Sequence, residues 1–146
     1  MAFEIRRAMT QDAAAFVACI DAAYAPHIDR GLDLPPVGAG IADDIQTHSV
    51  WVATQNGVVR GGIVLVLAAA AHIANLAVHP AAGGQGIAKT LIGQAISAAR
   101  SAGYDRVQLA THAEMTATQA VYLRLGWTEA GRDGNKVYFE YRLNDA

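Results

Sequence analysis

Apolar and polar residues recur along this chain with two periods, close to two residues in some segments and close to 3.6 in others. Strand-like segments are 3–8, 50–53, 58–69, 72–78, 106–111, 127–132 and 136–142. Helix-like segments are 10–23, 39–47, 84–102 and 114–125. The predicted order is βααβββαβαββ, which is typical of a mixed α/β sheet. No linker interrupts it, so residues 1–146 are predicted to form one domain.

Several residues mark the expected ends of these elements. Thr10 is the predicted N-cap of the first helix, while Gly103 and Gly126 follow the last two helices. Residues 55–57 and 133–135 contain the Asn-Gly and Asp-Gly pairs that are typical of tight hairpins. The strands on either side of each pair are therefore expected to be antiparallel neighbours.

Composition excludes several classes of protein. Hydrophobic residues make up 53% and charged residues 16%, which indicates a chain with a substantial core. A net charge of -2 argues against a broad nucleic-acid surface. The longest apolar run, 63–71, is too short to span a membrane. The single cysteine, Cys19, allows no internal disulfide, and with no signal-peptide pattern the chain is predicted to be cytoplasmic. The histidines lack metal-ligand spacing, so no metal site is predicted.

The most informative segment is 78–90, in which an apolar strand is followed by a glycine-rich loop and then by a helix. Free backbone amides at a helix N-terminus favour an anion such as a pyrophosphate. A dinucleotide fingerprint would need a small residue where Lys89 stands. A P-loop would need glycine in place of Ala88, and the strand 106–111 offers no aspartate for magnesium. A P-loop-like nucleotide-binding domain remains an alternative.

The segments 76–80 and 83–88 together resemble motif A of the GCN5-related N-acetyltransferases (GNAT), which reads Q/R-x-x-G-x-G/A. Gly86 and Ala88 match the two small positions of that motif. Gly83 stands at the Q/R position and departs from the motif, but the family holds pyrophosphate mainly through backbone amides. The resemblance therefore implies that binding is kept.

A second block, 120–127, resembles the A-x-x-L-Y-x-x-x-G-F signature of the same family. Tyr122 and Gly126 stand at their expected places, and Trp127 replaces phenylalanine. A helix and a strand separate the two blocks, as the family's GNAT fold requires. The predicted order of elements agrees with that fold along nearly the whole chain.

This resemblance implies direct transfer of an acetyl group from acetyl-CoA to a primary amine, with no metal. Tyr122 would be the general acid that protonates the leaving thiolate, because a phenol with a pKa of about 10 is protonated at working pH. The neighbouring strand would pair with pantetheine and the loop amides would hold the pyrophosphate. The residues implied in cosubstrate binding are Leu76, Ala77, Val78, Gly83, Gly84, Gln85, Gly86, Ile87, Ala88 and Lys89.

The general base is not evident from the sequence. Many relatives have a glutamate where this chain has Ala74, and Asn75 cannot accept a proton. Candidate bases elsewhere are His72, His79, Glu114 and Asp29. An acceptor that is already partly neutral would need no base, and neither would a CoA-binding module whose catalysis is weak or lost.

The acceptor site is expected around the first two helices, and its candidate residues are Tyr24, His27, Asp29 and Arg30. The acceptor would be a small-molecule amine, a protein N-terminus or a lysine side chain. Family resemblance also makes a homodimer an expectation, whereas no nucleic-acid or membrane partner is predicted.

Overall fold

The computed structural model describes residues 2–29 and 40–143, of which residues 27–29 are described by their backbone alone. Its strands are β1 Glu4–Arg7, β2 Ser49–Gln55, β3 Val58–Leu67, β4 Ala71–Val78, β5 Arg106–His112, β6 Thr128–Asp133 and β7 Lys136–Arg142. Its helices are α1 Ala13–Asp29, α2 Ile41–Thr47, α3 Ile87–Ser101 and α4 Thr116–Arg124. The order of these elements confirms the predicted βααβββαβαββ.

The strands form one mixed sheet in the order β1-β2-β3-β4-β5-β7-β6. Tight turns join β2 to β3 and β6 to β7, so these pairs are antiparallel. Asn56 and Gly57 have φ angles of 51° and 79°, as the predicted Asn-Gly hairpin turn requires. The chain passes through α3 between β4 and β5, and this crossover makes these two strands parallel.

The parallel pair is short. Only Ala71 with Val107 and His72 with Gln108 are paired, and the two strands are unpaired beyond these positions. At the same point β4 carries an extra residue, Ala74, in its pairing with β3. A bulge of this kind bends a strand and increases its twist, which accounts for the divergence of β4 from β5.

Helices cover both faces of the sheet. The apolar side of α3 packs with β3, β4 and β5 in one core cluster, which also includes Tyr122, Trp127 and Phe139. On the other face α1 and α2 pack over β2 and β3, where Phe16 and Val64 are fully buried. The divergent ends of β4 and β5 thus lie between two firmly packed layers.

Several predicted helix boundaries are wrong. Thr10 does not cap α1 but begins a 3-10 turn. The Asp12 carboxylate accepts a hydrogen bond from the Met9 amide at 2.7 Å, and this bond fixes a tight turn there. Helix α1 continues to Asp29 instead of ending at residue 23. Helix α4 begins at Thr116, two residues after the predicted start.

Helix α3 also begins later than predicted, at Ile87 instead of residue 84. Gly84 and Gly86 have φ angles of 77° and 82°, which an α-helix does not accept. The glycines therefore form a loop ahead of the helix. None of the helices in the described ranges is both long enough and apolar enough to cross a membrane.

Candidate active site

A cleft of about 260 Å³ opens where β4 and β5 diverge. Residues 73–78 of β4 and 109–111 of β5 form two of its walls. The segment around α4 contributes Met115, Thr118, Val121 and Tyr122, and α1 contributes Ala23 and Tyr24. The structure therefore brings Leu76, Ala77 and Val78 together with Tyr122, as the sequence predicted for one site.

Tyr122 lies on α4 and is 6% exposed. Its ring packs against Trp127, with centroids 5.7 Å apart, and against Phe139 at 5.9 Å. Burial raises the pKa of the Tyr122 phenol well above its ordinary value, and the nearby Tyr24 raises it further. The phenol therefore stays protonated throughout the neutral range.

The glycine-rich loop lies at the end of β4. A 3-10 turn, Pro80–Ala82, leads into residues 83–86, and α3 starts directly after them. Among the described residues, no backbone carbonyl accepts a hydrogen bond from the amides of residues 84–89. These amides and the positive end of the α3 dipole together favour an anion.

A second cavity of about 310 Å³ lies against this loop. Val78, Ala88 and Val121 line both this cavity and the cleft, so the two spaces are neighbours. The predicted loop residues that line it are Gly83, Gly84, Gly86, Ile87, Ala88 and Lys89. Gln85 does not line it, and its side chain instead accepts a hydrogen bond from Gln55 Nε2.

Sequence reasoning missed Arg124, which lines the loop cavity from α4. It is the one cation in the 120–127 block, two residues after Tyr122, and that position was the only available signal. The packing of the end of α4 beside the loop is a tertiary contact between segments about 40 residues apart, which no local pattern reveals.

The candidate general bases whose side chains the structure describes do not line the cleft. His79 Nδ1 accepts a hydrogen bond from the Ala81 amide at 3.1 Å and caps the 3-10 turn. Glu114 is exposed, and neither residue is among those that line the cleft in the described part of the chain. Ala74 lines the cleft, at the position where the resemblance leads us to expect a carboxylate. The side chain of Asp29 lies outside the described residues.

His72 lines a third cavity, of about 540 Å³, together with Gln108 and Tyr138. This cavity shares Ile73, Ala74, Leu109 and Ala110 with the cleft. The gap between β4 and β5 therefore borders two cavities, and the one lined by His72 has no α4 residue in its lining. In the described ranges, no three acidic, histidine or cysteine side chains are grouped as metal ligands.

Of the predicted acceptor residues, only Tyr24 can be placed. It lines the cleft beside Tyr122, and burial raises the pKa of its phenol. His27 and Asp29 belong to α1, but their side chains lie outside the described residues. Arg30 lies outside the described residues altogether.

The mixed sheet is split between its two parallel strands, with an amide-rich loop at the end of β4, and this fold is shared with solved N-acetyltransferase structures. The chain matches the family described as "Acetyltransferase (GNAT) family" over residues 18–127. The chain therefore belongs to the GNAT acetyltransferase family. The search of curated protein sequences finds no match.

Solved structures share this fold at low sequence identity. The PaiA N-acetyltransferase from Thermoplasma acidophilum, in complex with coenzyme A, is 18% identical with a TM-score of 0.86, covering 97% of this chain and 99% of that one. YncA from Salmonella typhimurium, with its cofactor acetyl-CoA, is 22% identical with a TM-score of 0.75, covering 100% and 96%. The ribosomal-protein-S18-alanine N-acetyltransferase from Escherichia coli is 21% identical with a TM-score of 0.78, covering 99% and 96%.

Proposed function

We propose that this protein transfers an acetyl group from acetyl-CoA directly to a primary amine. The observation that carries the proposal is the adjacency of the loop cavity and the cleft, which share Val78, Ala88 and Val121. An anion-binding loop at one end and a buried phenol at the other suit a long cosubstrate whose pyrophosphate and thioester are far apart.

The unpaired edge of β4 suits the pantetheine arm. Residues 76–78 bond to β3 on one side, whereas β5 has diverged from them on the other. An amide-bearing ligand can add to such an edge as an extra strand would. The loop amides would hold the pyrophosphate, with Lys89 and Arg124 as the neighbouring cations.

In the proposed reaction, the neutral amine nitrogen attacks the thioester carbonyl and forms a C–N bond. The C–S bond then breaks, and the sulfur leaves with the electron pair. Tyr122 donates its proton to that sulfur, while the ammonium formed on the acceptor releases a proton to water. The Tyr122 phenolate then recovers a proton from water, which restores the acid for the next turnover. No acyl-enzyme is needed, so no nucleophilic side chain has to approach the thioester.

The acceptor is proposed to arrive partly neutral. No carboxylate or imidazole is among the described residues that line the cleft. At pH 8 about half of an α-amine is neutral, compared with less than about 1% of a lysine side chain. A peptide N-terminus or another amine of low pKa therefore fits the site better than a lysine. The cavity lined by His72 and Tyr138 offers the acceptor a second route to the gap between β4 and β5.

A thiol-release assay with acetyl-CoA and a panel of amines tests the proposal. We expect release above hydrolysis with α-amines, and lower rates with ε-amines at the same pH. Tyr122→Phe should lower kcat by about 100-fold, since general acids contribute roughly 10²–10⁴. Tyr141→Phe is the matched control, because this half-buried tyrosine packs on Trp127 outside the cleft lining.

Calorimetry with coenzyme A separates the outcomes. Binding without thiol release for any amine would contradict the enzyme and favour a CoA-binding module. Absence of binding would overturn the whole assignment. An unchanged kcat in Tyr122→Phe would remove only the acid role of that phenol.

A further inference from the structure

Gln55 connects the central sheet to the glycine-rich loop. It is the last residue of β2 and is 7% exposed. Its Nε2 donates a hydrogen bond to Gln85 Oε1, at 2.5 Å, across 30 positions of sequence. A buried polar side chain of this kind is expected to have a partner, and here the partner belongs to the loop.

The glycine-rich loop is anchored in the core at both ends, but the residues between the anchors carry few side chains that could hold it in place. Ala82 and Ile87 are each 1% exposed and anchor it in the core. Of the four residues between these anchors, three are glycine, and Gly84 and Gly86 have positive φ angles. Glycine loses the most conformational freedom on ordering, so a loop of this composition is costly to hold in one shape.

Gln85 is the one residue of these four with a side chain beyond Cα, so it is the loop's only means of attachment through a side chain. Its partner is mounted rigidly, because the backbone of Gln55 is paired with Val58 in the sheet. Gln85 is also absent from the lining of the loop cavity. Its side chain is therefore directed to the sheet and not to the space where an anion would lie.

We infer that Gln55 is a positioning residue for cosubstrate binding: through Gln85 it holds the glycine loop in the conformation that presents its amides to the pyrophosphate. The inference rests on the proposed function. Preorganisation lowers the entropic cost of binding without adding a contact to the ligand. The Gln55–Gln85 pair also offers a physical reason why Gly83 can lack the side chain that motif A has at its first position.

The test is a double-mutant cycle with Gln55→Ala and Gln85→Ala, in which the Kd for coenzyme A is measured by calorimetry. Each single variant should raise the Kd for coenzyme A by about 3–10-fold. The Kd of the double variant should be no higher than the higher of the two single-variant values. Gln46→Ala, an exposed change on α2, is the control and should leave Kd unchanged. Effects that multiply in the double variant would overturn the coupling.

A second measurement separates positioning from a general loss of structure. Acetyl-pantetheine lacks the pyrophosphate, so Gln55→Ala should lower kcat/KM for acetyl-CoA and leave kcat/KM for acetyl-pantetheine unchanged. Equal losses with both donors would overturn the inference. If Gln55→Ala does not fold, Gln85→Ala, at a half-buried loop position, supplies the same comparison.

The wild-type protein separates the two hypotheses. Failure of the wild type to bind coenzyme A would overturn both the proposed function and this inference. Wild-type binding with unchanged Kd in both single variants would overturn the role of Gln55 alone.

Discussion

At the scale of single residues, the buried setting of Tyr122 determines how its phenol titrates. A phenol in water titrates at a pKa of about 10, whereas this one is buried against Trp127 and Phe139, which raises its pKa. A raised pKa keeps an acid protonated to higher pH. The same burial makes the phenol a weaker acid. A thiolate in water is only a weak base, since its conjugate thiol has a pKa of about 8.5. Proton donation therefore depends on the leaving thiolate being desolvated in the same cleft, which makes it more basic.

The pH dependence of acetyl transfer follows from this setting. With an α-amine acceptor, kcat/KM should rise through the pKa of the amine and then stay level to at least about pH 10, because Tyr122 does not lose its proton in that range. Initial rates from about pH 6 to about pH 10 check this. A fall in rate between about pH 8 and about pH 9 that Tyr122→Phe abolishes would contradict the raised pKa.

At the scale of elements, two glycines of β3 let neighbouring elements approach closely, α1 at one and β4 at the other. A Cβ atom on Gly62 of β3 would be 2.7 Å from the Phe16 ring of α1. A Cβ atom on Gly61 would be 2.8 Å from the Ala77 carbonyl oxygen. The sequence shows these glycines, but only the packing shows that each one makes room for a neighbour.

Gly62→Ala should lower the free energy of unfolding by about 1–3 kcal/mol, since the added methyl group overpacks the core beside Phe16. Gly93→Ala is the matched control, because this exposed glycine of α3 has no atom within 4 Å of an added Cβ. It should raise stability by about 0.5–1 kcal/mol. Urea unfolding of both variants checks the pair, and a stable Gly62→Ala would show that Phe16 can move.

The junction of β1 and α1 depends on one carboxylate. Asp12 accepts two hydrogen bonds from Arg6, at 2.7 and 2.9 Å, and one from the Met9 amide. These bonds hold the pKa of Asp12 below its usual range, the Arg6 hydrogen bond being the main cause. A lowered folded pKa gives stability that is fully present above the ordinary pKa of about 4 and is lost as pH falls through the lowered value.

Asp12→Asn should therefore cost about 1 kcal/mol of unfolding free energy at pH 7, a modest value because Arg6 is partly exposed to solvent. The difference from wild type should shrink as the pH falls below about 4. Urea titrations at about pH 7 and about pH 3 measure it. A difference that is the same at both pH values would mean that the charge of Asp12 is not what stabilises the junction.

At the scale of the whole molecule, the site exists because the sheet is divided. In the described part of the chain, residues from α1, β4, β5 and α4 meet where β4 leaves β5, and the bulge at Ala74 accounts for that departure. A ligand in this gap contacts both halves of the sheet. Binding should therefore stabilise the folded molecule as a whole and not one element alone.

Coenzyme A at about 100 times its Kd should add roughly 2.7 kcal/mol to the free energy of unfolding and raise Tm by roughly 5–10 °C for a chain of this size. Thermal unfolding with and without coenzyme A measures the shift. Pantetheine at the same concentration is the control and should give a smaller shift, because it cannot use the loop amides. Equal shifts would mean that the loop does not hold the pyrophosphate.

The sequence by itself determined the order of the elements, the glycine loop and the tyrosine motif. Each of these depends on residues that are close together in the chain: the alternation of a strand, the Asn56-Gly57 turn, the spacing from Tyr122 to Gly126. Local steric and periodic rules are enough for such features. Helix starts were less predictable, since the φ angles of Gly84 and Gly86 interrupt the regular backbone where the periodic pattern continues.

Only the tertiary structure decided which distant residues share a space. The position of Arg124 beside the loop, the hydrogen bond from Gln55 to Gln85 and the two cavities that share Ala74 all bring together segments far apart in sequence. These contacts depend on how strands pair and where that pairing stops, and no local pattern encodes this. The loop and Tyr122 were readable from the sequence, while the cleft between them was not.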